Sequence, residues 1–532
     1  MDLKFNINED YSKLLVSDMK KKLDKIYVGG GKEKIDKVHK KNKLTARERI
    51  EYLVDNDSFF EIAEFAGYGK YEEFGGCPCG GVVAGIASIN KKLCLIIAND
   101  STVKSGAWFP TTAKKNLRVQ EIAIENHVPI VYLVDSAGVF LQLQDQIFPD
   151  KENFGRVFRN NAILSSKGIY QVSAIMGPCV AGGAYLPIMS DESIIVEKTG
   201  SIFLAGSHLV KAAIGEIIEN EELGGAKTHC EISGITDYKA TDDKDALDKI
   251  KSIFEKINLK ENKSFDRIKS EMPLHESSKI YGIIPKEIKD NYDVVEIIKC
   301  IVDKSEFLEY KKDYGKTIVC GYARVDGWSV GIVANQRKII KSSTGEMQFG
   351  GVIYSDSANK AARFVSICNQ KKIPIIFLQD VTGFMVGSKS EKGGIIKNGA
   401  KLVNAVSNTI VPKITIIIGN SYGAGNYAMC GKAYDPRFIF AWPNSKIAVM
   451  GGEQAAKVIM QLNKKAYKKD DPEYREIIEN YNKSASAYNA ASNLWIDKII
   501  DPAKTREAIS KSLEVSCMKE INESYSNGVM QT

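Results

Sequence analysis

A chain of 532 residues with 44% apolar side chains can bury two sizeable cores. Its 73 basic and 66 acidic residues leave a formal charge of +7, which is small for this length; no nucleic-acid partner is implied, and a mild positive field suits an anionic substrate. No apolar run reaches the roughly 18 residues of a membrane span, and ten cysteines in so long a chain do not make a disulfide scaffold.

Residues 1–60 are lysine-rich, with Leu14, Leu15, Met19, Leu23 and Ile26 at helical spacing, and predict a surface helical lead-in. Asp2, Glu9 and Asp10, with no apolar core nearby, argue against a signal or transit peptide, so a cytoplasmic protein is expected, or one of the mitochondrial matrix in a eukaryote. From about residue 80 short β-branched runs alternate with amphipathic segments. Thr111–Asn126 predicts a helix through Ala113, Leu117, Ile122 and Ile124, and Ile130–Val134 predicts a strand. That texture predicts α/β architecture, with mixed or parallel sheet and helices outside, for a first domain over 61–260. Lys256, Lys260, Asn262, Lys263 and Ser264, followed by Pro273 and Pro285, mark a linker over 261–285. A second domain is expected over 286–515, with a solvated charge run at Lys464–Lys469 and a terminal helical region broken by Pro502; 516–532 form a tail. Cys94 and Cys320 fall in apolar strands and read as small buried hydrophobes. Cys77-Pro78-Cys79 has no second cysteine pair at ligand spacing, and the five histidines (His39, His127, His208, His229, His275) supply no matching set, so no metal is expected.

The two domains echo one another. Gly85-Ile86-Ala87 and Leu95 to Asn99 return as Gly321-Tyr322-Ala323 and Gly331 to Asn335, at an offset of 236 (85 to 321, 99 to 335). Val128-Pro129-Ile130 to Asp135, then Gly138, returns as Ile373-Pro374-Ile375 to Asp380, then Gly383 (135 to 380, offset 245). Gly177 and Ala181-Gly182-Gly183-Ala184-Tyr185 return as Gly419 and Gly423-Ala424-Gly425-Asn426-Tyr427 (177 to 419, offset 242). Three blocks in one order mean a duplicated domain, and the period is far too long for a solenoid.

The two glycine-rich elements carry the chemistry. Each follows an apolar strand and predicts a turn of small residues opening a helix. Glycine lets a ligand approach the backbone, and unpaired N–H groups at a helix start, with the positive end of the helix dipole behind them, hold a negative oxygen. One such element alone reads as a tight connection; the same element at the same place in both repeats reads as function. Gly419-Asn420-Ser421-Tyr422-Gly423 fits a G-x-S-x-G nucleophile elbow, yet the last histidine is His275, so no downstream base exists for it. No phosphate-cradling G-x-x-x-x-G-K-[ST] occurs.

Several runs resemble one family. Gly80 to Gly85, Phe148-Pro149-Asp150 with Asn153-Phe154-Gly155-Arg156, Ala181 to Tyr185, Glu222 to Ala226, Thr382 to Gly387, Tyr422 to Tyr427 and Met450 to Ala456 are similar to the carboxyltransferase (beta) subunits of biotin-dependent acyl-CoA carboxylases, over about residues 40–510. The Gly-Ala-Gly-Asn-Tyr element resembles methylcrotonyl-CoA carboxylases most. The resemblance implies two tandem crotonase-like domains and carboxyl transfer between carboxybiotin and an acyl-CoA thioester. It further implies that Gly182 and Gly183 hold the thioester enolate, with Ala181, Ala184, Tyr185, Ala137 and Gly138 around the acyl-CoA. Ala424 and Gly425 would hold the biotin ureido oxygen, with Gly383, Phe384, Gly423, Asn426 and Tyr427 around the biotin. In the family biotin itself takes the proton, and the site forms where the first domain of one protomer faces the second domain of another, so a homo-oligomer built of dimers, as a hexamer, is expected. Met19-Lys20 is a surface pair, not a Met-Lys-Met biotinylation signal, and no ATP-binding module is present, so biotin is expected on a separate carboxylase or carrier subunit. A sodium-pumping decarboxylase such as glutaconyl-CoA decarboxylase runs the same transfer backwards and stays open, as does a non-catalytic scaffold. Two departures from the family pattern stand out. Asp135-Ser136-Ala137-Gly138 stands where relatives carry Asp-Ser-Gly-Gly, and Asn335 to Pro374 spans 39 steps against 30 from Asn99 to Pro129, an extra loop around residues 338–351 expected to touch the biotin side or the acyl pocket.

Overall fold

The computed structural model describes residues 3–258, 264–287, 290–342, 345–463, 471–529 and 531. Lys260, Asn262 and Lys263 of the expected linker, and the charge run Lys464–Lys469, lie outside them, as do Ser343 and Thr344 of the extra loop. The chain falls into two units, Lys22–Glu261 with Ser492–Leu494, and Met1–Lys21 with Asn262–Ala491 and Trp495–Thr532.

The first unit contains β1 (Phe60–Glu61), β2 (Val82–Ile89), β3 (Lys92–Asn99), β4 (Ile130–Ser136), β5 (Gln171–Val180), β6 (Glu192–Val196), β7 (Ser201–Phe203) and β8 (Tyr238–Ala240). They form one sheet in the order β1-β2-β3-β4-β5-β6-β8, with β7 paired to the end of β5. The β1–β2 and β2–β3 pairs are antiparallel and all later pairs parallel. The strands are buried almost throughout, as continuous apolar runs with helices over the sheet require. Helices Ala46–Leu53 and Asp243–Lys256 bury Ile50, Leu53, Leu247, Ile250 and Phe254 against Val83, Ile96, Val131 and Val172. Both start on sequence-encoded caps: Thr45 and Glu48 form a reciprocal capping box, and Asp242 accepts from the Asp245 N–H at 2.9 Å.

The second unit contains β9 (Leu308–Tyr310), β10 (Ile318–Val325), β11 (Trp328–Asn335), the short β12 (Ile340–Lys341), β13 (Met347–Gln348) and β14 (Val352–Ile353), then β15 (Ile375–Val381), β16 (Gly383–Phe384), β17 (Lys413–Tyr422), β18 (Phe438–Ala441), β19 (Lys446–Ala448) and β20 (Lys498–Ile499). Its main sheet runs β9-β10-β11-β15-β17-β18-β20, with β19 on the end of β17, which is the first sheet strand for strand. Helices Pro110–Asn126 and Ser355–Gln370 correspond, and both open the same way. In one the Phe109 N–H donates to Thr112 Oγ1, in the other the Tyr354 N–H to Ser357 Oγ, each at 3.0 Å. The duplication read from sequence is therefore a duplication of fold, and the crotonase-like architecture holds in both units. Even the edge is copied: a Cβ on Gly85 or on Gly321 would fall 2.5 Å from the carbonyl oxygen of Phe60 or Leu308 on the neighbouring edge strand, so glycine is required there in each unit.

The N-terminal region differs from a surface lead-in. Helix Leu3–Tyr27 begins in the second unit, where Asn8 and Ser12 are buried and donate to the carbonyls of Gly282 (3.2 Å) and Tyr281 (3.0 Å). The Phe5 ring fills the space a Cβ on Gly282 would need. The polar, lysine-rich composition hides this, because only one narrow face is used.

Candidate active site

In each unit the third parallel strand runs into a tight turn. β5 ends at Val180 and Ala181–Ala184 form a 3₁₀ turn that passes into the single helical turn Tyr185–Ile188; β17 ends at Tyr422 and opens helix Gly423–Ala428. Ala181 and Gly423, equivalent in the repeat, both adopt the left-handed conformation, at φ 56° and 53°. Among the described residues no acceptor takes up the N–H of Gly182, Gly183, Ala424 or Gly425. A helix follows each turn as expected, but it has only 4 and 6 residues, so little of the macrodipole invoked from the sequence stands behind the donors; their pull on an anion comes from the turn amides themselves.

The strand leading to each turn is irregular at the same place. Val134 pairs with Ile175 but Ser136 with Cys179, and Gln379 pairs with Ile417 but Val381 with Ser421, so one residue of one strand, Asp135 or Asp380, faces three of the other, two more than regular pairing gives. A buried carboxylate fills each bulge. A Cβ on Gly177 would fall 1.8 Å from Asp135 Oδ1, and one on Gly419 would fall 2.5 Å from Asp380 Cγ. Each aspartate N–H donates to an asparagine at the end of the preceding strand, Asn99 at 3.4 Å and Asn335 at 3.1 Å. Asp135 is bound by Lys43 at 2.6 Å and by Arg49 at 3.0 Å; Arg49 also holds Asp243 at 2.8 Å and the Met176 carbonyl at 3.3 Å. Asp380 is bound by Arg337 at 3.3 Å, by the Tyr292 hydroxyl at 2.9 Å and by the Asn420 N–H at 2.8 Å. Burial pulls the Lys43 amine down in spite of Asp135, and burial, then the charge of Asp380, pushes the Tyr292 phenol up. The sequence reading missed this layer, although Asn, Asp and Gly recur identically in the two repeats, which is the signal that could have found it.

The remaining expected residues divide. Ala184 is buried and Tyr185 half exposed beside Phe158, with ring centroids 6.3 Å apart. The Cys179 thiol donates to the Gly183 carbonyl at 3.1 Å, and burial pushes its pKa up to about 12, so it stays neutral. Ala137 is exposed and Gly138 buried; their N–H groups go to the Ser105 carbonyl (3.0 Å) and Ser136 Oγ (3.1 Å), so neither donates to a ligand. Gly138 lies against the end of β5, where a Cβ would meet the Val180 oxygen at 3.6 Å. In the second unit the Cα of Gly383 lies 3.3 Å from where a Cβ on Gly425 would stand. The Phe384 ring packs over Gly399 and against the core. Asn426 is a strut: its Nδ2 donates to Ser421 Oγ at 2.7 Å, and that hydroxyl donates to Gln379 Oε1 at 2.6 Å. Ser421 is fully buried in this chain of bonds, which disposes of the nucleophile-elbow reading on structural grounds. A cleft of about 400 Å³ opens beside Gly423, walled by Tyr427, Ile447, Val449, Tyr481 and Trp495.

The nine extra residues all lie between β11 and helix Ser355–Gln370, where 336–354 replaces the shorter 100–109. They fold as the β12–β13 ladder, and β14 pairs with β16 directly after β15. A cavity of about 330 Å³ lies under the ladder, lined by Asp313, Lys316, Glu346, Tyr354, Met385 and Lys389 among others. At the equivalent place in the first unit Phe109 and Phe140, the counterparts of Tyr354 and Met385, stack at 4.4 Å, with Tyr71 and Phe74 against them.

Comparison with known proteins agrees with this geometry. The carboxyl transferase domain family matches residues 37–528. The chain is 46% identical over 519 residues to the mitochondrial methylcrotonoyl-CoA carboxylase beta chain of Dictyostelium discoideum, covering 95% of this chain and 85% of that one. It is 45% identical to the biotin-dependent 3-methylcrotonyl-coenzyme A carboxylase beta1 subunit of Mycobacterium tuberculosis, covering 95% and 94%. The crystal structure of the geranyl-CoA carboxylase beta subunit of P. aeruginosa superposes with a TM-score of 0.87 at 35% identity, covering 100% and 98%. A chain with two copies of one strand-and-turn apparatus, each copy offering unspent amides, thus belongs to the carboxyl transferase family, the carboxyltransferase subunits of biotin-dependent acyl-CoA carboxylases.

Proposed function

We propose that this chain moves a carboxyl group between carboxylated biotin on a separate protein and a short branched, unsaturated acyl-CoA of the methylcrotonyl type. The observation that carries the reading is the pair of unspent amide sets at equivalent points of the two units. Two oxygens gain negative charge in such a transfer, one on the thioester and one on the ureido ring. Gly182 and Gly183 hold the first, and Ala424 and Gly425 the second. One well-aimed amide on a developing oxyanion contributes on the order of a hundredfold or more in rate, so two sets suffice without an acid or base from the protein.

The residues of the second unit suit the biotin ring. The cleft beside Gly423 has aromatic and aliphatic walls for an apolar bicycle, and amide donors open at its floor. Biotin supplies the carboxyl group and the base. Tyr427 and Trp495, each about half exposed, bound the cleft and keep water from the ring. The neutral Cys179 thiol and the neutralised Asp135 cluster place no net charge under the enolate donors. The acyl group is inferred from relatives: those named for methylcrotonoyl-CoA reach 46% identity, and one named for propionyl-CoA reaches 32%. A relative named as a methylmalonyl-CoA decarboxylase subunit, 33% identical over 94% of this chain, keeps the reverse direction in view, since the same amides serve both.

The test is transfer from carboxylated biotin to acetyl-, propionyl-, crotonyl-, methylcrotonyl- and geranyl-CoA, with the biotin-bearing partner supplied. Methylcrotonyl-CoA is expected to give the highest kcat/KM. A preference for acetyl- or propionyl-CoA would reject the acyl assignment, and no transfer to any thioester would reject the reading altogether.

A further inference from the structure

Asp135 and Asp380 touch no open surface, yet each sits at the one irregular point of the strand that delivers its amide donors. They are 2% and 5% exposed. In both units a carboxylate stands where a side chain on Gly177 or Gly419 would be, inside a two-residue bulge, four residues before the turn (177 to 181, 419 to 423). A bulge of this kind re-aims whatever follows it, and its phase is set by what fills it. The two units fill it with the same residue but neutralise it differently. At position 420 the Asn420 N–H donates to Asp380, whereas the equivalent residue is Pro178, which has no N–H to give. The first unit replaces that donor with Lys43 and Arg49, from helix Ala46–Leu53 and the residues just before it, and Arg49 also grips the bulge itself at the Met176 carbonyl. Keeping the carboxylate while changing every partner indicates that the carboxylate's place is what matters.

We propose that Asp135 and Asp380 are positioning residues for carboxyl transfer: each fixes the phase of the strand entering its own turn, and so the aim of Gly182–Gly183 or of Ala424–Gly425. This rests on the carboxyl-transfer reading, and it makes the two aspartates act on different substrates. Asp135 governs the acyl-CoA half and Asp380 the biotin half.

The experiment uses the full-length chain and runs transfer from the carboxylated form of the preferred acyl-CoA to free biotin, varying each substrate in turn. Asp135→Asn is expected to lower kcat about tenfold and raise KM for the thioester severalfold, with KM for biotin within about twofold of wild type. Asp380→Asn is expected to lower kcat similarly and raise KM for biotin alone. Lys43→Met and Tyr292→Phe, which keep the carboxylate and remove one partner, are expected to shift the same constants in the same direction by about two- to threefold, and they decide the matter if an Asn variant does not fold. A lower kcat with both KM values unchanged in both variants is what mere loss of folded protein gives, and would overturn the proposal, as would unaltered kinetics. A crossed pattern upholds positioning and reverses which unit takes which substrate. A wild-type chain that transfers nothing overturns the carboxyl-transfer reading and the positioning role with it.

Discussion

The two units share a topology and an apparatus, but they hold its buried carboxylate by different means. In the second, Asp380 is held by Arg337 directly after β11, by Asn420 of β17 and by Tyr292 from the segment ahead of β9. In the first, Asp135 depends on two cations ahead of β1, Lys43 and Arg49, and Arg49 is shared with Asp243 on a later helix. The first unit also fills with a Phe109–Phe140 stack the space that the second leaves as a cavity beneath its extra ladder. Duplication thus preserved the strand, bulge and turn, while the means of holding them diverged. The part kept in both copies is the part that meets the charge.

The comparison breaks most directly at the donors. Gly182→Pro and Ala424→Pro each remove one N–H, and either should cut transfer at least about a hundredfold while the chain still assembles. Proline also disfavours the backbone of the residue before it, Ala181 or Gly423, so the activity assay is paired with sizing of the assembly. A loss for only one of the two, in folded protein, would mean that the units do not share the work.

The next test concerns how each bulge is held. Arg49 is fully buried and neutralises two carboxylates, so Arg49→Met leaves one buried negative charge uncompensated and should cost about 3–5 kcal/mol. Arg337→Met likewise leaves a buried carboxylate without its cation, but Asp380 keeps the Tyr292 hydroxyl, the Asn420 N–H and the Asn420 side-chain amide, so a loss at the lower end of that range, about 3 kcal/mol, is expected. Hydrogen exchange resolves the two: β4 and β5 should lose protection in the first variant, β15 and β17 in the second. Equal losses would show that the shared cation Arg49 is not what the first unit leans on.

Much of this was legible in the sequence. The repeat at offsets 236, 245 and 242 gives the second sheet from the first, and the helix expected over Thr111–Asn126 is Pro110–Asn126. Local pattern suffices there, because apolar runs and small-residue turns fix strand and turn without distant partners. The counter-ions were not legible, since Arg49 meets Asp135 across 86 residues and no periodicity links them. How short the helices after the turns are was not legible either: the first ends at Ile188 and the chain enters β6 at Glu192. The extra loop was visible as a count of residues, but its pairing into β12–β13 and β14–β16 is tertiary.

The smallest expected effect separates the turns themselves. Ala181 and Gly423 hold the same left-handed conformation, which costs a residue with a Cβ about 1–2 kcal/mol and glycine almost nothing. Against that, glycine has more freedom to lose on folding, by about 0.4–1 kcal/mol. Ala181→Gly should therefore gain about 0.5–1 kcal/mol, and Gly423→Ala lose at least as much, because its new Cβ would also stand 3.0 Å from the Val449 oxygen. In units of this size that is a rise and a fall of about 2–4 °C in Tm. Opposite signs would mean that the first unit carries backbone strain at the turn aimed at the thioester, where the second carries none. If strain there helps to aim the amides, Ala181→Gly gives up transfer rate as it gains stability; if both variants fall or both rise, the left-handed residue is not what sets either turn.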